Sequence, residues 1–175
     1  MQENAMDPQS PLHPLFVHLP LALATLAPAL FGALWLAIRF RWLPLRAWCL
    51  AIAAQAALVG SAGLAMKSGE KDAERVERVV AEAAIDRHEE RAEWFLGAGI
   101  AVLLLAFAPL VAGRLPRAGA IAAYATIAAS VGVLALGWAV GSTGGKLVYR
   151  DGAAAAWTAG GLGTRQPIDA PHREH

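Results

Sequence analysis

Apolar residues in this chain run in uninterrupted blocks, and the charged residues gather almost entirely between them. Four blocks stand out, Phe16 to Ile38, Leu45 to Met66, Trp94 to Val111 and Ala118 to Gly141. Each is close to the roughly 20 residues that a helix needs to cross a bilayer, so the pattern predicts four transmembrane helices. A helix of a soluble core would keep a polar face, which these blocks lack. Between the second and third blocks the pattern changes. In "SGEKDAERVERVVAEAAIDRHEERAEW", Ala73, Val76, Val80, Ala83 and Arg87 step at three and four, and Glu74 and Arg78 form an i,i+4 pair. This stretch reads as an amphipathic helix, either continuous with the third span or broken near Ile85. The expected fold is all-α: an up-down bundle of four transmembrane helices, with an outer-side amphipathic helix between helices 2 and 3.

Composition strengthens that reading, with 57% apolar residues and a mean hydropathy of +0.44. Charge then sets the orientation. The short connections "RFRWLPLR" and "GRLPRAG" hold five arginines and no acid, and the positive-inside rule turns them toward the cytoplasm. An even number of spans puts both termini and the Lys67 to Glu93 segment, where acids outnumber bases by nine to six, on the other side. For a bacterial inner (plasma) membrane that side is the periplasm. The residues ahead of the first block lack Lys and Arg, so that block reads as a retained anchor and not as a cleaved signal. Trp42 and Trp48 at one boundary and Trp94 and Trp138 toward the other fit the aromatic belts.

Residues 1–152 read as one membrane domain. Residues 153–175, rich in Gly, Ala and Pro, read as a flexible tail that carries His172 and His175. Cys49 is the single cysteine, which excludes an intrachain disulfide and a thiolate cluster; it reads as a small residue inside helix 2. Pro28 is expected to kink helix 1, and Gln55 is a mid-membrane amide that needs a partner. In "GWAVGSTGG", Gly137, Gly141 and Gly145 recur every four residues and would let a neighbouring helix, a second subunit or a planar cofactor approach closely.

The topology also gathers chemistry. His13 and His18, in "HPLFVHLP", stand at the outer end of helix 1, and His88 stands just before the outer end of helix 3. Helix 4 delivers "GSTGGKLVYRDG" to the same boundary. Opposed histidines on two helices of a bundle can hold a haem iron from both sides, with Arg91, Lys146 or Arg150 meeting the propionates. Three readings stay open: haem b held by His18 and His88, with His13 as an outer-shell group or substitute ligand; another metal bound by His18, His88 and His13; or no cofactor, the histidines being interfacial hydrogen-bonding groups. "HEE" is not the His-Glu-x-x-His spacing of zinc hydrolases.

The stretches "HPLFVHLPLAL" and "GGKLVYRDG" resemble the bacterial integral-membrane family catalogued as domain of unknown function 2231. Its members resemble "HP..VHFP.AL" at the start and "GG.LVY.HG" after the last helix. "SGE" to "HEERAEW" is similar to the family's central loop and third-helix histidine. The resemblance covers about residues 12–152 and implies a four-helix membrane protein with a redox or haem association. Leu19 stands where Phe is usual, and Asp151 stands where His is frequent, which removes one potential ligand.

Two function classes follow. One is a membrane electron-transfer protein without intrinsic catalysis, working with a redox partner. The other is a cofactor-free scaffold or accessory subunit that binds a partner or a second copy through its glycine strip and outer helix. The bilayer is the common partner of both. The spans bear no deep charge of the kind that couples ions in transporters. The chain also lacks a nucleophile and base pair, a phosphate-binding glycine loop and any nucleic-acid signature.

Overall fold

In a computed structural model, residues 16–112 and 116–157 are described, and all their regular structure is helical. Four long helices dominate: α1 (His18–Arg39), α2 (Cys49–Val76), α3 (Glu82–Leu105) and α4 (Pro116–Tyr149). A 3-10 turn, Leu45–Trp48, leads into α2. One further helical turn, Ala108–Val111, follows α3, and a 3-10 helix, Ala153–Trp157, follows α4. The stretches long and apolar enough to cross a membrane are His18–Arg39, Leu45–Lys71, Glu82–Val111 and Arg117–Tyr149.

Each of α1 and α3 packs against both α2 and α4. Leu21 of α1 meets Gly141 of α4, while Trp35 stacks edge-on against Tyr124 at a centroid distance of 6.0 Å. These two helices therefore run in opposite directions. The same follows for α2 and α3 from Trp48 with Ala106 and Gln55 with Gly99, and for α3 and α4 from His88 with Thr143 and Phe95 with Gly137.

The core is built largely from small residues, Ala24, Ala27, Ala51, Ala62 and Ala123 among them, around Phe31, Leu58 and Trp48. Lipid is as apolar as these side chains, so close backbone approach, and not expulsion of water, holds such helices together. Leu26, Leu36, Leu104 and Ile121 point outward. At the arginine-bearing end Trp48 is fully buried between Phe31 and Trp35, and its indole N–H donates to the carbonyl of Ala106 at 2.8 Å. That carbonyl lies just past the end of α3, where no helical N–H is left to meet it. Trp48 is thus a core residue and not part of a belt, whereas Trp42, Trp94 and Trp138 are exposed.

Half of the Gln55 amide finds a partner: Nε2 donates to the carbonyl of Gly99 at 2.9 Å, while the buried Oε1 has none among the described residues. Pro28 lies within α1 without ending the helix. Cys49 belongs to α2, as its first residue, and is exposed.

The charged segment between the second and third spans differs from expectation. It forms no separate helix. α2 continues to Val76, residues 77–81 turn, and α3 begins at Glu82 after an extended Ala81. The break has a packing cause. Val80 and Ile85 are buried against Ala153, with Val76, Val79, Ala84 and Leu147 alongside. A straight helix could not bring Val76, Val80 and Ile85 onto one cluster, and β-branched valines yield helix geometry readily.

At the far end of α4 the backbone N–H groups of Arg150 and Asp151 both bond to the Lys146 carbonyl. Gly152, at φ 79°, then turns the chain back, a conformation that favours glycine. The segment expected to be a tail therefore starts with an ordered turn whose Ala153 is buried. Residues 158–175, with His172 and His175, lie outside the described residues.

Candidate functional site

The site is built on the seam between α3 and α4. His88 and Phe95 are seven residues apart and so share one face of α3. Gly137 and Gly144, also seven apart, share one face of α4. Because the helices run oppositely, His88 meets Gly144 and Phe95 meets Gly137. A Cβ at Gly144 would lie 3.1 Å from His88 Cε1, and one at Gly137 would lie 3.2 Å from Phe95 Cε2. Both distances are tighter than ordinary contact, so the two glycines are holes that the two rings fill.

His88 is half-buried, and its Nδ1 lies 3.1 Å from the Thr143 hydroxyl. That hydroxyl is itself within donating distance of the Val140 carbonyl at 2.9 Å and the Ala139 carbonyl at 3.1 Å. A hydroxyl has one proton to give. Spent on a backbone carbonyl, it makes Thr143 the acceptor, and Nδ1 then carries the ring proton. In that tautomer the imidazole lone pair is on Nε2. Arg91, one turn along α3, reaches the same stretch of α4, with Nη1 3.4 Å from the Ala139 carbonyl.

His18 is exposed at the first position of α1. It lies one turn outward of Leu21, which meets Gly141, so His18 and His88 stand at a similar depth along α4. No hydrogen bond joins the two among the described residues. Lys146 and Arg150 are exposed at the last turn of α4, and His13 lies outside the described residues.

The other flank of α4 is less filled. Between α1 and α4 runs a lateral groove of about 340 Å³, lined by Leu21, Ala24, Thr25, Gly137, Trp138 and Gly141 among others. A Cβ at Gly141 would have Leu21 at 3.7 Å, and one at Gly145 would meet nothing within 4 Å. The expected strip of Gly137, Gly141 and Gly145 thus splits: Gly137 is packed on both sides, Gly141 lightly, and Gly145 is open.

Thr143, Gly144 and Phe95 were not singled out by the sequence pattern. The signal that could have found them is the matched spacing of seven in His88 to Phe95 and Gly137 to Gly144. Among the described residues no group of three His, Cys, Asp or Glu side chains could hold a metal ion together.

The family model described as "Predicted membrane protein (DUF2231)" matches residues 9–156, and the chain belongs to that family. No curated protein matches the chain. No solved structure matches it either.

Proposed function

We propose, with membership of that family as the premise, that this is a small bacterial inner-membrane redox protein. It would hold haem b near the periplasmic face through His88 and His18, with His13 as an outer-shell group or substitute ligand. Its arginine-bearing end would face the cytoplasm. The observation that carries the reading is the hydrogen bond between His88 Nδ1 and Thr143, 3.1 Å long. A metal-ligating imidazole is characteristically oriented by a second hydrogen bond through its other nitrogen, and Thr143 supplies one inside a membrane span.

The donor set also fits haem better than another metal. Haem asks for at most two protein ligands, whereas a non-haem ion would want three or four. Bound haem would supply one-electron transfer at a potential set by the residues that hold it. The chain's own contribution is positional. Thr143 fixes the His88 ring, Gly144 gives that ring room, and Arg91, Lys146 and Arg150 offer positive charge for propionates at the boundary.

A second reading, a cofactor-free scaffold that binds a second copy or a partner subunit, is favoured by a different observation. The holes at Gly137 and Gly144 are already filled by side chains of α3, and His18 faces outward. The two readings separate in one experiment, the reduced-minus-oxidised visible spectrum of the purified protein expressed with ample haem. The redox reading expects a b-type spectrum that is lost in His88→Ala and His18→Ala and kept in His13→Ala. A colourless, folded wild type without metal by elemental analysis leaves the scaffold.

A further inference from the structure

The arginine-bearing end of the bundle carries charge that no acid among the described residues neutralises. Trp48 ties the start of α2 to the end of α3, and Trp35 with Tyr124 ties the end of α1 to the start of α4. The α1 to α2 connection and the first residues of α4 therefore lie at this end. Arg39, Arg41, Arg46 and Arg117 are all exposed there. The sequence has no acid between Asp7 and Glu70, or between Glu93 and Asp151. The closest of these along a described helix, Glu93, is separated from Ala106 by about 20 Å of helix, beyond the reach of a guanidinium.

The turn that carries these arginines also presents apolar rings. After α1, the backbone N–H groups of Trp42 and Leu43 both bond to the Ala37 carbonyl, which folds the chain tightly back. Arg41 takes a φ of 61° within that turn. Phe40 and Trp42 lie side by side with ring centroids 5.8 Å apart, 61% and 79% exposed. Leu43 is exposed beside them. Exposed aromatic rings at a span boundary belong at the level of lipid headgroups and esters. Uncompensated guanidiniums at that level meet phosphate oxygens, which they bind with paired N–H donors.

We propose that the α1 to α2 turn is a binding site for the phosphate of an anionic phospholipid, phosphatidylglycerol being the probe. Phe40 and Trp42 seat the turn among the esters. Arg39, Arg41 and Arg46 select the anionic headgroup over the zwitterionic one. This does not depend on whether the far end of the bundle binds haem.

The full chain, reconstituted in mixed vesicles, tests it through quenching of tryptophan fluorescence by brominated phosphatidylglycerol or brominated phosphatidylcholine. The difference between wild type and Trp42→Phe isolates the turn. Wild type is expected to favour phosphatidylglycerol at low salt and less so at high salt. Arg41→Gln and Arg46→Gln should each lower that preference about fivefold, and the triple variant with Arg39→Gln should abolish it. Arg78→Gln, at the opposite end, should leave it unchanged. Equal quenching of wild-type Trp42 by both lipids overturns the proposal. So does a preference that survives in the two single variants, with helicity confirmed by circular dichroism, or one that falls equally in Arg78→Gln.

Discussion

Along α4 the seam with α3 is filled and the seam with α1 is partly open, although glycine lines both. Toward α3, Gly137 and Gly144 each receive a ring, and Thr143 adds a hydrogen bond to His88. Toward α1, Gly141 meets only the end of Leu21, Gly145 meets nothing, and a groove remains beside Trp138. The contrast shows that a small-residue strip marks where a backbone can approach and does not say what approaches. Whether the space is used depends on the partner helix. α3 places rings at the matching interval of seven, and α1 places Leu21, Ala24 and Thr25, which are too small to fill the flank.

The filled seam is the one that substitutions should break. Phe95→Ala, which empties the hole at Gly137, is expected to lower stability by about 3 kcal/mol, at the low end for a buried ring because lipid replaces water as the alternative environment. Unfolding of the detergent-solubilised protein measures it. Gly137→Leu and Gly144→Leu should each cost about 1 to 3 kcal/mol by overpacking. Combining Gly137→Leu with Phe95→Ala should recover part of the loss, since the new side chain enters the vacated space. If the two effects simply add, the ring and the glycine do not share one hole.

Thr143→Val keeps shape and removes the hydroxyl. It should cost about 0.6 kcal/mol, the average for a hydrogen bond between membrane helices, read from unfolding of the detergent-solubilised protein. Under the haem reading it would also change the ligand-sensitive bands of the spectrum. The smallest effect belongs to the open flank: Gly145→Ala should change stability by less than about 0.5 kcal/mol, and a larger loss would mean that something covers this face.

Much of the fold was legible because hydrocarbon demands long apolar runs, and the four spans follow the four blocks. Helix ends were less legible. α2 extends ten residues past Met66 to Val76, and α3 starts at Glu82, before Trp94, because hydropathy marks where lipid lies and not where backbone hydrogen bonds stop. The turn at 77–81 depends on burial of Val80 and Ile85 against Ala153, a contact made across some seventy residues of sequence. His88 was legible as a candidate from its place at the boundary. Its partner was not, since Thr143 and Gly144 lie 55 and 56 positions away, and only the pairing of α3 with α4 brings them alongside.

The Gln55 bond to Gly99 also bears on how the chain assembles. Apolar faces rich in alanine can slide past one another with little change in contact. A polar pair cannot. Displacing α2 along α3 by one turn, about 5.4 Å, would carry the amide away from the Gly99 carbonyl, in a medium with no water to replace it. Once the second and third spans are inserted, this single bond selects one alignment from several that packing alone would tolerate, and with it the depth at which every later contact is made.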